Sequence, residues 1–138
     1  MRDRIFIDTN ILVYASTSKD KPKQQMALNY LKKCLGCDVY VSTQVLSEFY
    51  SALKKNGIDD ATSRKALESY ASTMTVLPVT LDTIKIGLDI RDSYKYSLWD
   101  CLIISSALSV NCNVLCSEDM SNKQIINSQV KIFNPFTQ

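Results

Sequence analysis

Ile5-Phe6-Ile7-Asp8-Thr9-Asn10-Ile11-Leu12-Val13-Tyr14-Ala15, residues 5–15, decides how this chain is read. An apolar run stops at a carboxylate, passes two more short polar residues, and resumes in a helical stretch, which is the pattern of a strand feeding a helix. Asp8 then stands at the end of the first strand. Taken alone it has two roles open to it: capping the helix that follows, or serving a site at the sheet edge.

The same alternation continues outward from this stretch. Short β-type runs recur at 5–7, 39–41, 75–79, 113–116 and 130–133, with helical patterns in the gaps. An amphipathic helix with Pro22 near its start and Gly36 past its end carries the stripe Met26, Ala27, Tyr30, Leu31, Cys34 and Leu35. Val45, Leu46, Phe49, Ala52 and Leu53 repeat with helical spacing until Asn56-Gly57, and Asp59-Asp60 opens another helix. Thr80 precedes a helix carrying Ile84, Leu88 and Ile90. Ser97 and Asp100 have capping-box spacing ahead of Leu102, Ile103, Ile104 and Leu108. A strand, a short helix and a last strand are expected to finish the chain. Such alternation predicts an α/β fold, a parallel sheet covered by helices on both faces, with functional groups at the carboxyl ends of the strands.

At 138 residues the chain has room for one globular unit, 1–138. No segment is long and apolar enough to span a bilayer, and Asp8 and Asn10 interrupt what would be a signal-peptide core, so a cytoplasmic location is expected. The net charge of +2 permits an anionic partner without demanding one. The cysteines at 34, 37, 101, 112 and 116 lack the tight paired knuckles of a structural zinc site, and reduced, buried thiols are expected. The three glycines leave no phosphate-cradling loop after the first strand, which disfavours a nucleotide-binding module. The absence of histidine excludes acid–base hydrolysis by a histidine pair.

Four carboxylates fall at element ends. Asp8 and Asp119 follow the first and fourth strands, while Glu48 and Asp100 lie early in helices. Each has a bland role of its own: a helix cap for Asp8, Asp100 and Asp119, and a helix-surface acid for Glu48. Together they can surround one cleft at the carboxyl edge of the sheet. Ionised acids so gathered repel one another, and Mg²⁺ or Mn²⁺ would relieve that, since hard oxygen ligands suit these ions. The chemistry then available is phosphodiester hydrolysis.

Four stretches carry a family resemblance: Ile7-Asp8-Thr9-Asn10, Ser42-Thr43-Gln44-Val45-Leu46-Ser47-Glu48, Ser97-Leu98-Trp99-Asp100 and Ser117-Glu118-Asp119. In order and spacing the sequence resembles the PIN-domain nucleases, more narrowly the VapC-like ribonuclease toxins of toxin–antitoxin pairs. The resemblance implies a three-layer α/β/α sandwich and a metal-dependent acidic site in which Asp8, Glu48, Asp100 and Asp119 hold Mg²⁺ or Mn²⁺. It makes Thr9, Asn10 and Ser117 the residues that orient them. Asp119 is taken ahead of Glu118 because the Ser-x-Asp spacing matches the family. The resemblance further implies an RNA substrate, a homodimer, and a cognate antitoxin whose C-terminal segment covers the groove. Lys54, Lys55, Arg91 and Lys95, near the ends of the elements that carry the motif, are the candidates for phosphate contact. Tyr14, Tyr50, Tyr94 and Tyr96 are more often core residues than base-stacking ones, and Trp99 is read as structural. The alternative is a catalytically silent PIN-like module that binds RNA or protein.

Overall fold

The computed structural model describes residues 2–137. The elements run β1 (Arg4–Ile7), α1 (Thr9–Ser16), α2 (Lys21–Lys33), β2 (Asp38–Ser42), α3 (Thr43–Lys55), α4 (Asp60–Thr73), β3 (Thr75–Leu77), α5 (Leu81–Tyr94), α6 (Leu98–Ser109), β4 (Val114–Cys116), β5 (Ile125–Ile126) and β6 (Val130–Phe133), with a 3-10 turn over Cys34–Gly36. Every α-helix opens on a short polar side chain that accepts a hydrogen bond from a free backbone N–H: Asp8, Asp20, Ser42, Asp59, Thr80 and Ser97.

The six strands lie in the order β3-β2-β1-β4-β6-β5, parallel throughout except that β5 pairs antiparallel with β6. Right-handed crossovers from β1 to β2 and β2 to β3 put α1 to α4 on one face. The return from β3 to β4, on the other side of β1, puts α5 and α6 on the opposite face. The helix packing agrees with this: α1 lies on α2 and α3, α3 on α4, and α5 and α6 form a hairpin. The result is a three-layer α/β/α sandwich. Its core joins Phe6, Ile7, Val41, Leu115 and Ile132 of the sheet to Ile11 and Leu12 of α1, Val45 and Phe49 of α3, and Ile104 of α6. The order of connection reverses between β1 and β4, so a crevice opens beyond their carboxyl ends.

Four expectations from the sequence need correction. The short helix anticipated after Asp119 is absent. Turns occupy that stretch, and the chain enters a β5–β6 hairpin through Asn127 and Ser128, both in the left-handed region. The third strand ends at Leu77, since Pro78 has no N–H for the ladder. In α5 the inward face is Thr83, Gly87 and Ile90, whereas Leu81, Ile84 and Leu88 point to solvent. Finally, Leu35 and Trp99, read as packed residues, are 82% and 62% exposed.

The inward face of α5 is small because α6 lies close against it. A Cβ at Gly87 would stand 3.1 Å from a methyl of Leu102 and 3.5 Å from the Cys101 backbone. Gly87→Val should therefore cost about 1–3 kcal/mol through overpacking, despite removing a flexible residue from a helix. Urea denaturation checks this, with an unchanged midpoint as the contrary result. Among the described residues no helix is long and apolar enough to cross a membrane. The five cysteines are free; Cys34, Cys101, Cys112 and Cys116 are buried and Cys37 is half-buried.

Candidate active site

Asp8 leaves β1 in extended conformation and caps α1. Its Oδ1 accepts the Thr9 N–H at 2.7 Å and its Oδ2 accepts the Ser117 hydroxyl at 2.7 Å. The capping role and the site role thus share one side chain. Ser117 is fully buried at the end of β4, and its Oγ also accepts the Asp119 N–H at 3.2 Å, so one hydroxyl connects two of the acids. Asn10, the second residue of α1, braces the same stretch from outside. Its Nδ2 donates to Asp119 Oδ2 at 2.9 Å and its Oδ1 accepts the Glu118 N–H at 3.2 Å.

Glu48 projects from the second turn of α3, at the border of the buried face that carries Val45 and Phe49. Its Oε1 accepts the Thr9 hydroxyl at 2.8 Å. Gln44, one turn earlier, reaches Glu48 Oε2 at 3.5 Å and donates to the Trp99 carbonyl at 3.1 Å, tying the start of α3 to the start of α6. Asp100 sits in the first turn of α6, its N–H donating to Ser97 Oγ at 3.2 Å. One open cleft of about 710 Å³ is lined by Asp8, Thr9, Asn10, Glu48, Asp100 and Asp119 together with Glu118.

The electrostatics follow from burial. Asp8 is 4% exposed, and desolvation, opposed by its two hydrogen bonds and reinforced by the charges of Asp100 and Asp119, pushes its carboxyl up to about 7. Asp100 is raised too, by desolvation first and then by Asp119 and Glu48. Among the described residues none of Asp8, Glu48, Asp100 and Asp119 forms an ion pair. The neighbouring acid differs. Glu118 accepts the Tyr14 hydroxyl at 2.9 Å and is ion-paired with Lys23 of α2. That ammonium lies 4.8 Å from the Tyr14 ring centroid and 5.3 Å from that of Phe136.

The donor set is therefore all oxygen, electrostatically uncompensated and partly desolvated, which fits a hard divalent cation. Among the described residues no three acids converge into a group that would enclose an ion by itself. Such an arrangement suits an ion that keeps several waters and shares substrate oxygens.

A family model for the PIN domain matches residues 5–125. The chain belongs to the PIN domain family. Solved structures agree in fold: a toxin–antitoxin complex from Klebsiella pneumoniae, 21% identical over 96% of this chain and 98% of that one, superposes with a TM-score of 0.68. VapBC2 from Rickettsia felis, bound to a promoter DNA fragment, is 18% identical over 95% and 98%, with a TM-score of 0.71. Mycobacterium tuberculosis VapC20, described as a Sarcin-Ricin loop cleaving toxin, is 21% identical over 80% and 86%, with a TM-score of 0.65. No curated protein matches the chain significantly.

Of the other residues singled out from the sequence of this PIN domain, Lys55 lines the cleft, while Lys54, Arg91 and Lys95 do not. Lys54 faces Asp59 and Asp60, Arg91 is in the last turn of α5 near Cys101, and Lys95 is the left-handed C-cap of α5. Lys19, Lys23 and Gln44 were not singled out. Gln44 and its acid share a helical i, i+4 spacing that could have marked it; Lys19 and Lys23 sit in a lysine-rich run that reads as a solvated surface.

Proposed function

We propose that this PIN domain, a single unit over 1–138, is a divalent-cation-dependent endoribonuclease using Mg²⁺ or Mn²⁺, and that it acts as the toxin of a toxin–antitoxin pair. The observation that carries this reading is Asp8, a buried carboxylate that shares its cleft at the sheet's switch point with Glu48, Asp100 and Asp119, none of the four ion-paired among the described residues. Asp8, Glu48, Asp100 and Asp119 would hold the cation, and Thr9, Asn10 and Ser117 would orient them. A bound divalent cation supplies Lewis acidity, activating water for attack on phosphorus and offsetting charge on the phosphate oxygens.

The chain's own residues do the positioning. Ser117 keeps Asp8 and Asp119 in register, Thr9 holds one oxygen of Glu48 while Gln44 makes a longer contact to the other, and Asn10 restrains Asp119. The structural relatives that contain antitoxins support a cognate antitoxin as the natural partner, with a cation of its own able to neutralise the acids. Self-association into a homodimer and a cytoplasmic location complete the proposal.

The experiment is cleavage of total cellular RNA by the purified protein with Mg²⁺, with Mn²⁺ and with EDTA, beside Asp8→Asn to control for contaminating nuclease. Discrete metal-dependent fragments that the variant fails to produce are expected. Folded protein that cuts nothing with either metal would leave a binding module in place of an enzyme.

A further inference from the structure

The cleft does not end at the acids. On α1 its lining residues are Thr9, Asn10, Val13, Tyr14 and Thr17, followed by Lys19; on α3 they are Ser47, Glu48, Ser51, Ala52, Lys55 and Asn56. Both sets repeat at the three- and four-residue spacing of one helix face. Because α1 packs on α3, these two stripes are the facing walls of a groove that runs along the helices. Glu48 and the other acids stand at its sheet end. Lys55 comes seven residues further along α3, about 10 Å at the helical rise, and Lys19 follows α1 at the same distal end.

Charge is therefore segregated along the groove, with carboxylates at one end and two ammonium groups at the other. Lys19 and Lys55 are exposed, and neither forms an ion pair among the described residues. Lys23, by contrast, is committed to Glu118 at the side of the cleft. Between the ends lie Val13 and Ala52, apolar, with the Ser47 and Ser51 hydroxyls beside them. A polyanion laid along this groove places one phosphate at the cation site and later phosphates at the lysines, while its bases cross an apolar strip edged with hydroxyls. An apolar strip edged with hydroxyls suits unpaired bases, whereas a duplex turns its phosphates and sugars outward and keeps its base faces stacked inside.

We propose that the α1–α3 groove is a single-stranded RNA track, in which Lys19 and Lys55 grip phosphates about two nucleotides from the scissile one. This rests on the endonuclease reading and adds to it a direction and a minimum length of substrate.

The test is fluorescence anisotropy with a fluorescein-labelled octauridylate, in Ca²⁺ across a series of salt concentrations, for wild type, Lys19→Met, Lys55→Met and the double variant. Lys65→Met, on α4 and outside the groove, is the control. Cleavage kinetics in Mg²⁺ run in parallel. Each groove substitution should weaken binding roughly five-fold and reduce the slope of log affinity on log salt by about 0.7, the two adding in the double variant. KM should rise with kcat retained, since these contacts hold substrate and transition state alike. Binding and salt slope equal to wild type in the double variant, or a wild type that binds no oligonucleotide, would overturn the track. Lysine-dependent binding without any cleavage would sustain the track and sink the enzyme; cleavage indifferent to both lysines would do the reverse. Both residues are exposed, and an unchanged Tm confirms that the variants fold.

Discussion

Asp8→Asn should abolish RNA cleavage and, in EDTA at pH 8, make the protein more stable than wild type. The activity loss is expected to be about 10³-fold or more, because the substitution removes charge from the most buried of the four acids. The gain in stability comes from the same burial. The Asp8 carboxyl is raised in the folded state from 3.8 to about 7, so the fold binds this proton more tightly than the unfolded chain does. Stability from this group is fully present below pH 4 and is lost as pH rises through 7, a change on the order of 4 kcal/mol.

Asparagine stays neutral throughout that window. Its Oδ1 can still accept the Thr9 N–H, and its amide can donate to the Ser117 oxygen in place of the reversed bond. The variant's Tm at pH 8 should exceed the wild-type value by about 10–15 °C, with the two converging near pH 4. Saturating Mn²⁺ should lift wild type by about 2.7 kcal/mol at a hundred times the dissociation constant and leave the variant largely unmoved. Thermal unfolding by circular dichroism, at several pH values and with or without Mn²⁺, decides the matter. Equal melting temperatures at pH 8 in EDTA would mean that Asp8 is not held as an uncompensated charge.

The second large effect separates two adjacent acids. Asp119→Asn should lower kcat/KM about 10²-fold, whereas Glu118→Gln should leave it within a factor of about three. The reason is where each carboxylate is engaged: among the described residues that of Asp119 accepts a hydrogen bond from Asn10 alone and feels the charges of Asp8 and Asp100, while Glu118 is taken by Tyr14 and Lys23. Glu118→Gln should instead cost stability, about 1 kcal/mol after screening at this partly exposed pair, and Lys23→Met should cost a similar amount. The double variant should then be less destabilised than the sum of the two singles. Steady-state cleavage and urea denaturation of the same proteins measure both sides. A Glu118→Gln enzyme as impaired as Asp119→Asn would place Glu118 among the cation's ligands.

That pair also marks how far the sequence alone reaches. Asp8 and Asp119 were legible as ends of strands, because apolar runs interrupted by short polar residues have few other structural solutions. Asp119 was taken ahead of Glu118 on the Ser-x-Asp spacing alone, and the engagement of Glu118 was not readable locally. The residue that occupies Glu118, Lys23, lies 95 positions away, in a stretch whose charges look like ordinary surface. Helix α5 was misread for a different reason. Periodicity identifies apolar positions, here Ile84, Leu88 and Ile90, but not which of them another element covers; close approach to α6 buries Ile90 with the small face around Gly87 and leaves Ile84 and Leu88 outside. The missing helix after Asp119 belongs to the same class. Ser117, Glu118 and Asp119 look like the start of a helix, yet the left-handed residues Lys123, Asn127 and Ser128 turn the chain back into a hairpin.

The five free cysteines make the protein its own reporter of breathing motions. Burial holds the Cys34 thiol at about 11 and Cys112 at about 12, and pushes Cys101 and Cys116 upward as well, so in the closed fold these sulfurs are both sheltered and protonated. Cys37 alone is partly open to solvent. An alkylating reagent should therefore consume one thiol promptly and the rest only as fast as their surroundings open. Their positions divide the molecule usefully: Cys34 at the end of α2, Cys101 in α6, Cys112 just ahead of β4 and Cys116 as its last residue. The order in which they react would chart which layer of the sandwich loosens first, without adding a single label to the chain.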